Sequence, residues 1–462
     1  MRHDPDGRRL PIKLDSTSNG EFAPMPLEHV HLHANALAQQ AADANARRLG
    51  LSRRRLLVSA AGAAGTLLAF NEAYAAAGRI GGFYEIEPTA ALDIEQAAQQ
   101  LGSREFVFDV QGHFVGRNWQ GRHQLGGVEQ FVKDVFLDSD TDMMVLSFIP
   151  SRREDEYLPI DEAAAVQEIV ERLPRGQRLL IHGRVNPNQP GDLDDIDALA
   201  SRWKVSALKC YTQWGPDGHG FYLTDDIGLR MIEKARSVGI RNICVHKGLP
   251  FGRQSYEHST CADIGGVAKM FPDMNFLVYH SGYVQTAKEG PYDPTRSDGV
   301  DRLIRSVEEA GLGKGSNVYA ELGSTWRMLM RDPDQAAHVV GKLVKHLGEG
   351  NLLWGSDSIW YGSPQDQILA FRSFQISTEF QQEFGYAAMT PQLRARIFGL
   401  NGAQVYGLDV EEITRRAAAD EIGRARAAYE PDPHFLTFGP QTRAQFLRLH
   451  AAHGKQLVKG IA

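Results

Sequence analysis

From Glu105 onward, the chain alternates short apolar runs, rich in β-branched and aromatic residues, with longer amphipathic stretches. This alternation is typical of a parallel α/β fold, in which each strand is followed by a helix that covers the sheet. The apolar runs are Phe106–Val110, Met143–Phe148, Leu179–Val185, Ala207–Tyr211, Asn242–His246, Asn275–His280, Val318–Leu322 and Leu352–Asp357. The amphipathic stretches between them are Val128–Leu137, Asp161–Leu173, Asp192–Trp203, Asp226–Val238, Ile264–Met270, Asp301–Ala310 and Gln335–Leu347.

The number of predicted strands favours one architecture. Eight strands with helices between them, over about 250 residues, match a (β/α)8 TIM barrel. An open doubly wound sheet would show a Gly-rich phosphate loop after its first strand, whereas here Gln111-Gly112-His113 follows that strand. We predict a barrel over residues 105–407, an N-terminal extension over residues 1–77, and a helical tail over residues 408–462 that provides packing or oligomer surface.

Composition limits the class of partner. The chain has 462 residues, of which 42% are apolar and 23% charged, with a formal net charge of −7. These values indicate a globular protein, and the negative balance argues against a nucleic-acid or anionic-membrane partner. The three cysteines Cys210, Cys244 and Cys261 form no C-x-x-C pair, so neither a disulfide framework nor a thiolate zinc site is indicated. We therefore expect a small-molecule substrate.

The N-terminal extension contains the pattern of an export signal. Ser52 and the pair Arg53-Arg54 lead into the apolar run Val58–Phe70, and the small-residue sequence Ala73-Tyr74-Ala75 follows. A cationic segment, a short apolar segment and a small-residue cleavage site in this order predict export, and the arginine pair is typical of the twin-arginine pathway. The apolar run is shorter than the ~20 residues that a membrane-spanning helix needs. We therefore predict a periplasmic protein without a stable membrane span.

An alternative interpretation keeps the protein in the cytoplasm. The arginine pair stands at positions 53 and 54, farther from the start than in a typical signal. If Met25 is the true start, fewer residues precede the arginine pair and the export prediction stands. The alternative to export is that the run is a buried Ala-rich helix on the outside of the barrel. The nearby His29, His31 and His33 resemble the H-x-H pair of metal hydrolases. Because no apolar strand precedes them, we assign them to a solvated helix face and exclude them from the site.

Polar side chains stand where four of the predicted strands end. They are Gln111 and His113 after the first strand, His246 after the fifth, His280 after the sixth, and Asp357 after the eighth. The carboxyl ends of barrel strands meet at one mouth, so these residues should become neighbours. Imidazoles and a carboxylate brought together in this way bind a divalent metal well. Asp109, on the first strand, is predicted to orient one of these ligands through a hydrogen bond.

This set of residues resembles the amidohydrolase superfamily, and within it the branch that includes aminocarboxymuconate-semialdehyde decarboxylase. The resemblance covers residues 105–407 and includes the closing motif Asn401–Gly407. It implies one divalent metal, zinc or manganese, and it implies a possible homodimer, as is common in this branch. The implied metal ligands are Gln111, His113, His246 and Asp357. The resemblance also gives Asp357 the task of moving the protons of a water, and His280 that of polarising or protonating the substrate.

Gln111 departs from the family pattern, which has His or Glu at this position. A neutral amide oxygen is a weaker ligand than either. Three interpretations follow: Gln111 ligates weakly through its oxygen, the metal is held by three protein ligands and water, or the metal is lost. We favour a retained metal, because the other polar residues at the strand ends would be costly to desolvate without a partner.

Further candidates for substrate binding follow the predicted strands. They are Lys209, Lys247, Arg253, Arg327, Trp214 and Trp360. The cations are suited to holding a carboxylate, and the aromatic residues to lining an apolar pocket, with solvated loop positions as the alternative. We predict a metal-dependent hydrolase of a small amide, ester or lactone. The alternatives are a non-oxidative decarboxylase of an unsaturated or aromatic acid, and a metal-free binding protein.

Overall fold

A computed structural model describes residues 4–102, 105–114, 127–172, 178–429 and 437–452. Eight consecutive strands in it form one parallel sheet in sequence order, from β2 to β9. The strands of the structure are β1 Gly82–Tyr84, β2 Phe108–Gly112, β3 Met143–Leu146, β4 Leu179–Arg184, β5 Ala207–Tyr211, β6 Asn242–His246, β7 Asn275–Tyr279, β8 Val318–Glu321, β9 Leu352–Leu353 and β10 Phe374–Ile376.

Backbone hydrogen bonds between the first and last strands close this sheet. The N–H of Val110 donates to the carbonyl of Trp354 at 3.0 Å, and the N–H of Asp357 donates to the carbonyl of Gln111 at 2.9 Å. Closure removes both sheet edges and leaves a barrel. The predicted (β/α)8 barrel is confirmed.

Helices surround the barrel and extend beyond it at both ends of the chain. The α-helices are α1 His29–Arg48, α2 Arg53–Leu57, α3 Ala60–Ala76, α4 Ile94–Leu101, α5 Gly127–Val132, α6 Ile160–Arg172, α7 Ile196–Ser201, α8 Asp226–Ser237, α9 Ile264–Met270, α10 Gly299–Glu309, α11 Thr325–Leu329, α12 Pro333–Leu347, α13 Gln365–Ser373, α14 Thr378–Phe384, α15 Pro391–Ala395, α16 Asn401–Tyr406, α17 Val410–Ala419, α18 Glu421–Ala428 and α19 Arg443–Ala452. Two π-helical turns, Lys133–Leu137 and Arg396–Leu400, continue α5 and α15.

The bounds of three barrel elements differ from the sequence prediction. β2 begins at Phe108, two residues later than expected, and the N–H of Val107 donates to the Asp142 carboxylate. α7 is shorter than predicted, because Asp192 accepts bonds from Arg184 and Asn186 and does not enter the helix. β9 is also shorter than predicted, because the chain then turns away through Asp357 at a φ of 57°.

The N-terminal residues pack on the barrel. α1 and α3 bury their alanine-rich faces, and β1 pairs antiparallel with β10 after the last barrel strand. The run predicted to be an export signal lies in α2 and α3, with side chains such as Leu67 and Phe70 fully buried. No helix in the described part of the chain is long and apolar enough to cross a membrane.

His31, assigned to a solvated helix face, is in fact buried in α1. Its Nε2 lies 2.8 Å from the carbonyl oxygen of Arg331. His29 and His33 on the same helix are exposed. The assignment was wrong for His31, because the alanines of α1 allow that face of the helix to approach the barrel, but none of the three reaches the mouth.

The tail also returns to the barrel mouth. The N–H groups of Phe438 and Gly439 both donate to the carbonyl of Trp360. α19 follows, within the predicted helical tail, and residues 453–462 of that tail lie outside the described ranges. The predicted helix end at Leu173 also lies outside them.

Candidate metal centre

The barrel brings the predicted residues to one mouth. Gln111 is the penultimate residue of β2, His246 ends β6, and His280 directly follows β7. His113 and Asp357 follow β2 and β9, and all five side chains are buried. Buried parallel strands orient these groups because the backbone ladder fixes the position at which each strand stops.

Asp357 is the centre of one half of the site. Its Oδ1 lies 2.8 Å from His113 Nε2 and accepts a hydrogen bond from Gln111 Nε2 at 3.0 Å. Its Oδ2 accepts a hydrogen bond from the Ser324 hydroxyl. Burial alone would raise the pKa of Asp357, but the hydrogen bond and charge of His113, together with His280 and Ser324, outweigh it and hold the pKa below its ordinary value. Asp357 is therefore a carboxylate at neutral pH.

His246 and His280 form the other half. His280 Nδ1 lies 2.7 Å from the carbonyl oxygen of Gly323, which can only accept a hydrogen bond. In the neutral ring the proton therefore sits on Nδ1, and Nε2 presents a lone pair. That Nε2 faces His246 Nδ1 at 3.1 Å.

Burial keeps both of these imidazoles neutral. It is the main cause that lowers the pKa of His280 to about 4, with Asp357 opposing the shift and Lys209 adding to it. Burial also takes the pKa of His246 well below its ordinary value, and His280 and Lys209 lower it further. A neutral imidazole is the form that ligates a metal. In this state His280 accepts hydrogen bonds at Nε2, and its predicted roles of polarising or protonating the substrate stay predictions.

A segment far from the barrel strands completes the site. Asn19 Nδ2 donates to Asp357 Oδ2 at 2.9 Å and to Glu21 Oε2 at 2.7 Å. Glu21 Oε1 lies 3.7 Å from His246 Nδ1. Asn19 thus joins the two halves, and Glu21 adds a second carboxylate to the mouth.

These groups fit a divalent cation. Within the described ranges, one group of three or more histidine, cysteine or carboxylate side chains has ligand atoms all within 4.8 Å of one another, and it consists of Glu21, His246 and His280. Burial raises the pKa of Glu21 to about 8, with the Asp357 charge adding to the rise and Lys209 opposing it. A cation would relieve that cost, and two neutral imidazoles with carboxylates are a donor set that zinc and manganese accept.

Gln111 presents its amide nitrogen to the site. Nε2 donates to Asp357, while the buried Oε1 has no hydrogen-bond partner among the described residues. A Cβ added at Gly323 would stand within 2.5 Å of both Gln111 Oε1 and Glu321 Oε1, so only glycine fits between these two side chains. Burial raises the pKa of Glu321 to about 8.

Asp109 contacts the backbone on both sides of the site, and its predicted role of orienting a ligand stays a prediction. Its Oδ1 accepts the N–H of Gln111 at 3.1 Å and the N–H of Ser356 at 3.0 Å, and Oδ2 accepts the Ser356 hydroxyl. Burial raises its pKa to about 7, although these hydrogen bonds oppose the rise. Asp109 therefore ties the end of β2 to the loop that carries Asp357.

Lys209 lies beneath the site. It is fully buried, and its Nζ sits 3.7 Å from the ring centroid of Tyr279 and 4.8 Å from that of Tyr211. Burial lowers its pKa, while Cys244, Glu21, Glu321 and Asp357 raise it. We interpret Lys209 as a cation that balances the buried carboxyl groups, not as a contact for substrate.

The other predicted cations are engaged elsewhere or exposed. Lys247 Nζ pairs with Asp263 at 2.7 Å and donates to the carbonyl of His258. Arg327 pairs with Asp15 at 2.8 Å and lies 3.3 Å from Asp366. The Arg253 side chain is exposed. Lys247 and Arg327 therefore hold ion pairs within the protein, and their predicted contact with substrate stays a prediction.

Aromatic residues line the mouth near both halves of the site. The Trp360 ring lies 5.7 Å from the His113 ring. Trp214 packs with Tyr211 and Phe251, which flank His246. A small cleft opens beside His113, and it is lined by Phe114, Ser147, Phe148, Ile149, Glu156, Tyr157, Leu158 and Trp360. Its wall is mostly apolar, but its free volume of about 10 Å³ has room for a water and not for a substrate group.

Sequence reasoning missed Asn19 and Glu21. They lie in an irregular stretch without strand or helix periodicity, in which Asn19-Gly20 reads as a turn. Their burial, at 6% and 7% exposure, depends on a barrel formed far along the chain. No local pattern distinguishes them from solvated loop residues.

The chain is similar to several solved structures. Among solved structures, a 4-oxalomesaconate hydratase from Rhodopseudomonas palustris is 15% identical, with a TM-score of 0.41, covering 68% of this chain and 99% of its own. An amidohydrolase from Burkholderia multivorans with bound zinc is 14% identical, with a TM-score of 0.38, covering 66% and 100%. An amidohydrolase from Mycobacterium avium subsp. paratuberculosis is 12% identical, with a TM-score of 0.38, covering 67% and 100%. No curated protein matches the chain.

A sequence model described as amidohydrolase matches residues 157–408, which is more than half of the chain. The match includes His246, His280 and Asp357, and it begins after the strand that carries Gln111 and His113. With the closed barrel and the polar residues at its strand ends, this match shows that the chain belongs to the amidohydrolase family.

Proposed function

We propose that the protein is a metal-dependent hydrolase that acts on a small amide, ester or lactone. The observation that carries the proposal is the buried pair of neutral imidazoles, His246 and His280, which face each other at 3.1 Å beside the Glu21 and Asp357 carboxyl groups. A divalent ion held there, zinc or manganese, supplies Lewis acidity towards a water and a substrate carbonyl.

The protein's own residues supply the other functions. Asp357 is a low-pKa carboxylate at the edge of the site, suited to accepting a proton from a water and returning it to the leaving group. Ser324 and Asn19 hold its Oδ2, and His113 and Gln111 hold its Oδ1. These contacts fix the orientation of the carboxylate. Trp360, whose ring lies 5.7 Å from that of His113, would contact the apolar part of the substrate.

Decarboxylation is the second candidate, and the geometry favours it less. A decarboxylase that held the substrate carboxylate with a side chain would need an unpaired cation at the mouth. Lys247 and Arg327 already pair with Asp263 and Asp15, and Lys209 lies beneath the site. Membership in the decarboxylase-like branch and a homodimeric state stay predictions.

Metal analysis and a substrate panel test the proposal. We expect the purified native protein to contain about one equivalent of zinc or manganese and to hydrolyse one of a panel of lactones, aryl esters and anilides. Asp357→Asn should lower kcat by about 10²–10⁴-fold, the usual contribution of a positioned acid or base. Asp409→Asn is the matched control, since Asp409 is the N-cap of α17 and Asn caps equally well.

Other outcomes would replace the proposal. Release of carbon dioxide from hydroxybenzoic acids, assayed beside the panel, would assign a decarboxylase. Less than a tenth of an equivalent of metal, with Asp357→Asn unchanged in every assay, would leave the metal-free binding protein.

A further inference from the structure

Residues 13–22 lie across the barrel mouth, and we name them the mouth segment. Lys13 Nζ donates to the carbonyl of Tyr361 at 2.8 Å, and Asp15 pairs with the buried Arg327. On the other side, the N–H of Ser18 donates to the carbonyl of Pro440, and His450 Nε2 lies 2.9 Å from the carbonyl oxygen of Gly20. The barrel and the tail therefore hold the segment from both sides.

We propose that Glu21, supplied by the mouth segment, is a ligand of the metal, an inference that rests on the proposed metal-dependent function. Glu21 belongs to none of the strand ends from which the ligands were predicted. Its carboxylate replaces the His or Glu ligand that the family pattern has at position 111, where this chain has Gln.

The distances fit a shared cation. Ligand atoms bound at about 2.0–2.2 Å in a tetrahedral zinc site lie roughly 3.3 Å apart. His280 Nε2 and His246 Nδ1 are 3.1 Å apart, and Glu21 Oε1 is 3.7 Å from His246 Nδ1. All three atoms lie within 4.8 Å of one another, so one ion placed between them reaches each ligand after small shifts.

The charges also favour Glu21 over Gln111. A dication between two neutral imidazoles needs nearby anions to offset its charge. Glu21 brings a carboxylate to the two histidines, whereas Gln111 brings a neutral amide that is directed at Asp357 through its nitrogen. Asn19 donates to the second oxygen of Glu21, which leaves Oε1 as the atom that faces His246.

Zinc titration of isosteric variants tests the inference. The metal-free protein, Glu21→Gln and Glu21→Ala are titrated with zinc against a chromophoric chelator, and the cobalt-loaded forms are compared by visible absorption. Glu28→Gln is the control, because Glu28 is an exposed carboxylate of the same N-terminal region, paired with Arg79 outside the mouth. Circular dichroism checks that each variant is folded.

We expect zinc affinity to fall by at least tenfold in both Glu21 variants, with an altered cobalt spectrum, and to stay unchanged in Glu28→Gln. In the wild-type protein, zinc should slow proteolytic cleavage within the mouth segment. This measurement does not depend on the folding of any variant. Equal zinc affinity and equal cobalt spectra in wild type and Glu21→Gln would overturn the role of Glu21 and leave the proposed function standing. A wild-type protein that binds no zinc, cobalt or manganese would overturn both.

Discussion

The side-chain amide of Asn19 donates to Asp357 Oδ2 at 2.9 Å, although the two residues are 338 positions apart in the chain. The same amide donates to Glu21 at 2.7 Å. One neutral side chain from the mouth segment therefore separates two buried carboxyl groups and satisfies an oxygen of each. The N-terminal extension is thus part of the candidate site.

Asn19 should be sensitive to charge as well as to size. Asn19→Ala removes one donor from each of two buried carboxyl groups, and leaving such groups unsatisfied costs about 1–3 kcal/mol. Asn19→Asp keeps the shape but adds a third carboxyl group, so it should destabilise the metal-free protein more. Urea unfolding at pH 8 measures both variants. Equal stability of Asn19→Asp and wild type would contradict the observed contacts.

The Asp15–Arg327 pair should hold the mouth segment in place. Asp15→Ala leaves the Arg327 guanidinium buried beside Asp366 with its main partner removed, and breaking a buried pair in this way costs about 3–5 kcal/mol. Urea unfolding and limited proteolysis at the segment measure the loss. Asp6→Ala is the control, because the half-exposed pair of Asp6 with Arg8 should contribute under about 1 kcal/mol. A similar loss in both variants would show that burial of the pair adds nothing.

Stability should fall on acidification, partly through His338. Burial lowers its pKa to about 4, with Lys342 adding to the shift, whereas the unfolded chain takes up this proton near pH 6.5. The free energy of unfolding is therefore unaffected by His338 above about pH 6.5. It falls as the pH drops towards 4, and protonation of this group in the unfolded chain lowers it by about 2 kcal/mol at pH 5.

Two variants of the contact between His338 and Tyr386 separate the effect of His338 protonation from the effect of side-chain packing. In His338→Phe, which suits the cluster of Phe380 and Phe384, the difference in unfolding free energy between pH 7.5 and pH 5 should shrink by that amount. Tyr386→Phe, which removes the phenol that contacts His338, should keep the wild-type difference. An unchanged difference in His338→Phe would assign the acid sensitivity to other groups.

Gln111→His should strengthen metal binding. An imidazole is a better ligand for zinc than an amide oxygen, and position 111 already contacts Asp357. We expect zinc affinity to rise by tenfold or more, the factor that about 1.4 kcal/mol of binding free energy provides. Gln111→Leu, of similar size and without a ligand atom, is the comparison. If Gln111→His binds zinc no better than Gln111→Leu, position 111 does not reach the metal.

Export through the twin-arginine pathway stays a prediction, and the structure adds a requirement to it. Arg53 donates to the carbonyl of Gln39 and pairs with Asp43 on α1, and cleavage after Ala75 would remove Asn19 and Glu21. We therefore expect the mature protein to keep the mouth segment, as intact mass measurement would show. Fractionation of wild type and an Arg53→Lys, Arg54→Lys variant tests export, which should fail in the variant. Cytoplasmic location of both would favour the buried-helix alternative, and a mature chain that starts after Ala75 would contradict a mouth segment in the working site.

The sequence was sufficient to predict the barrel and the residues of the site that stand at the ends of its strands. Strands buried on both faces read as apolar runs, so β5 and β6 were predicted to the residue. Because a barrel brings the ends of its strands to one mouth, His246, His280 and Asp357 could be predicted to lie together without coordinates. Both inferences depend on patterns within a few residues and on one rule of topology.

Only the tertiary structure decided how the mouth is completed. Asn19 and Glu21 reach it through contacts across more than 220 positions of the chain, which no local periodicity encodes. The same packing engaged Arg327 with Asp15 and turned the amide nitrogen of Gln111, not its oxygen, towards Asp357. Strand patterns record what each residue does to its neighbours in sequence, whereas hydrogen bonds and charge pairs in a desolvated mouth depend on which distant groups arrive there.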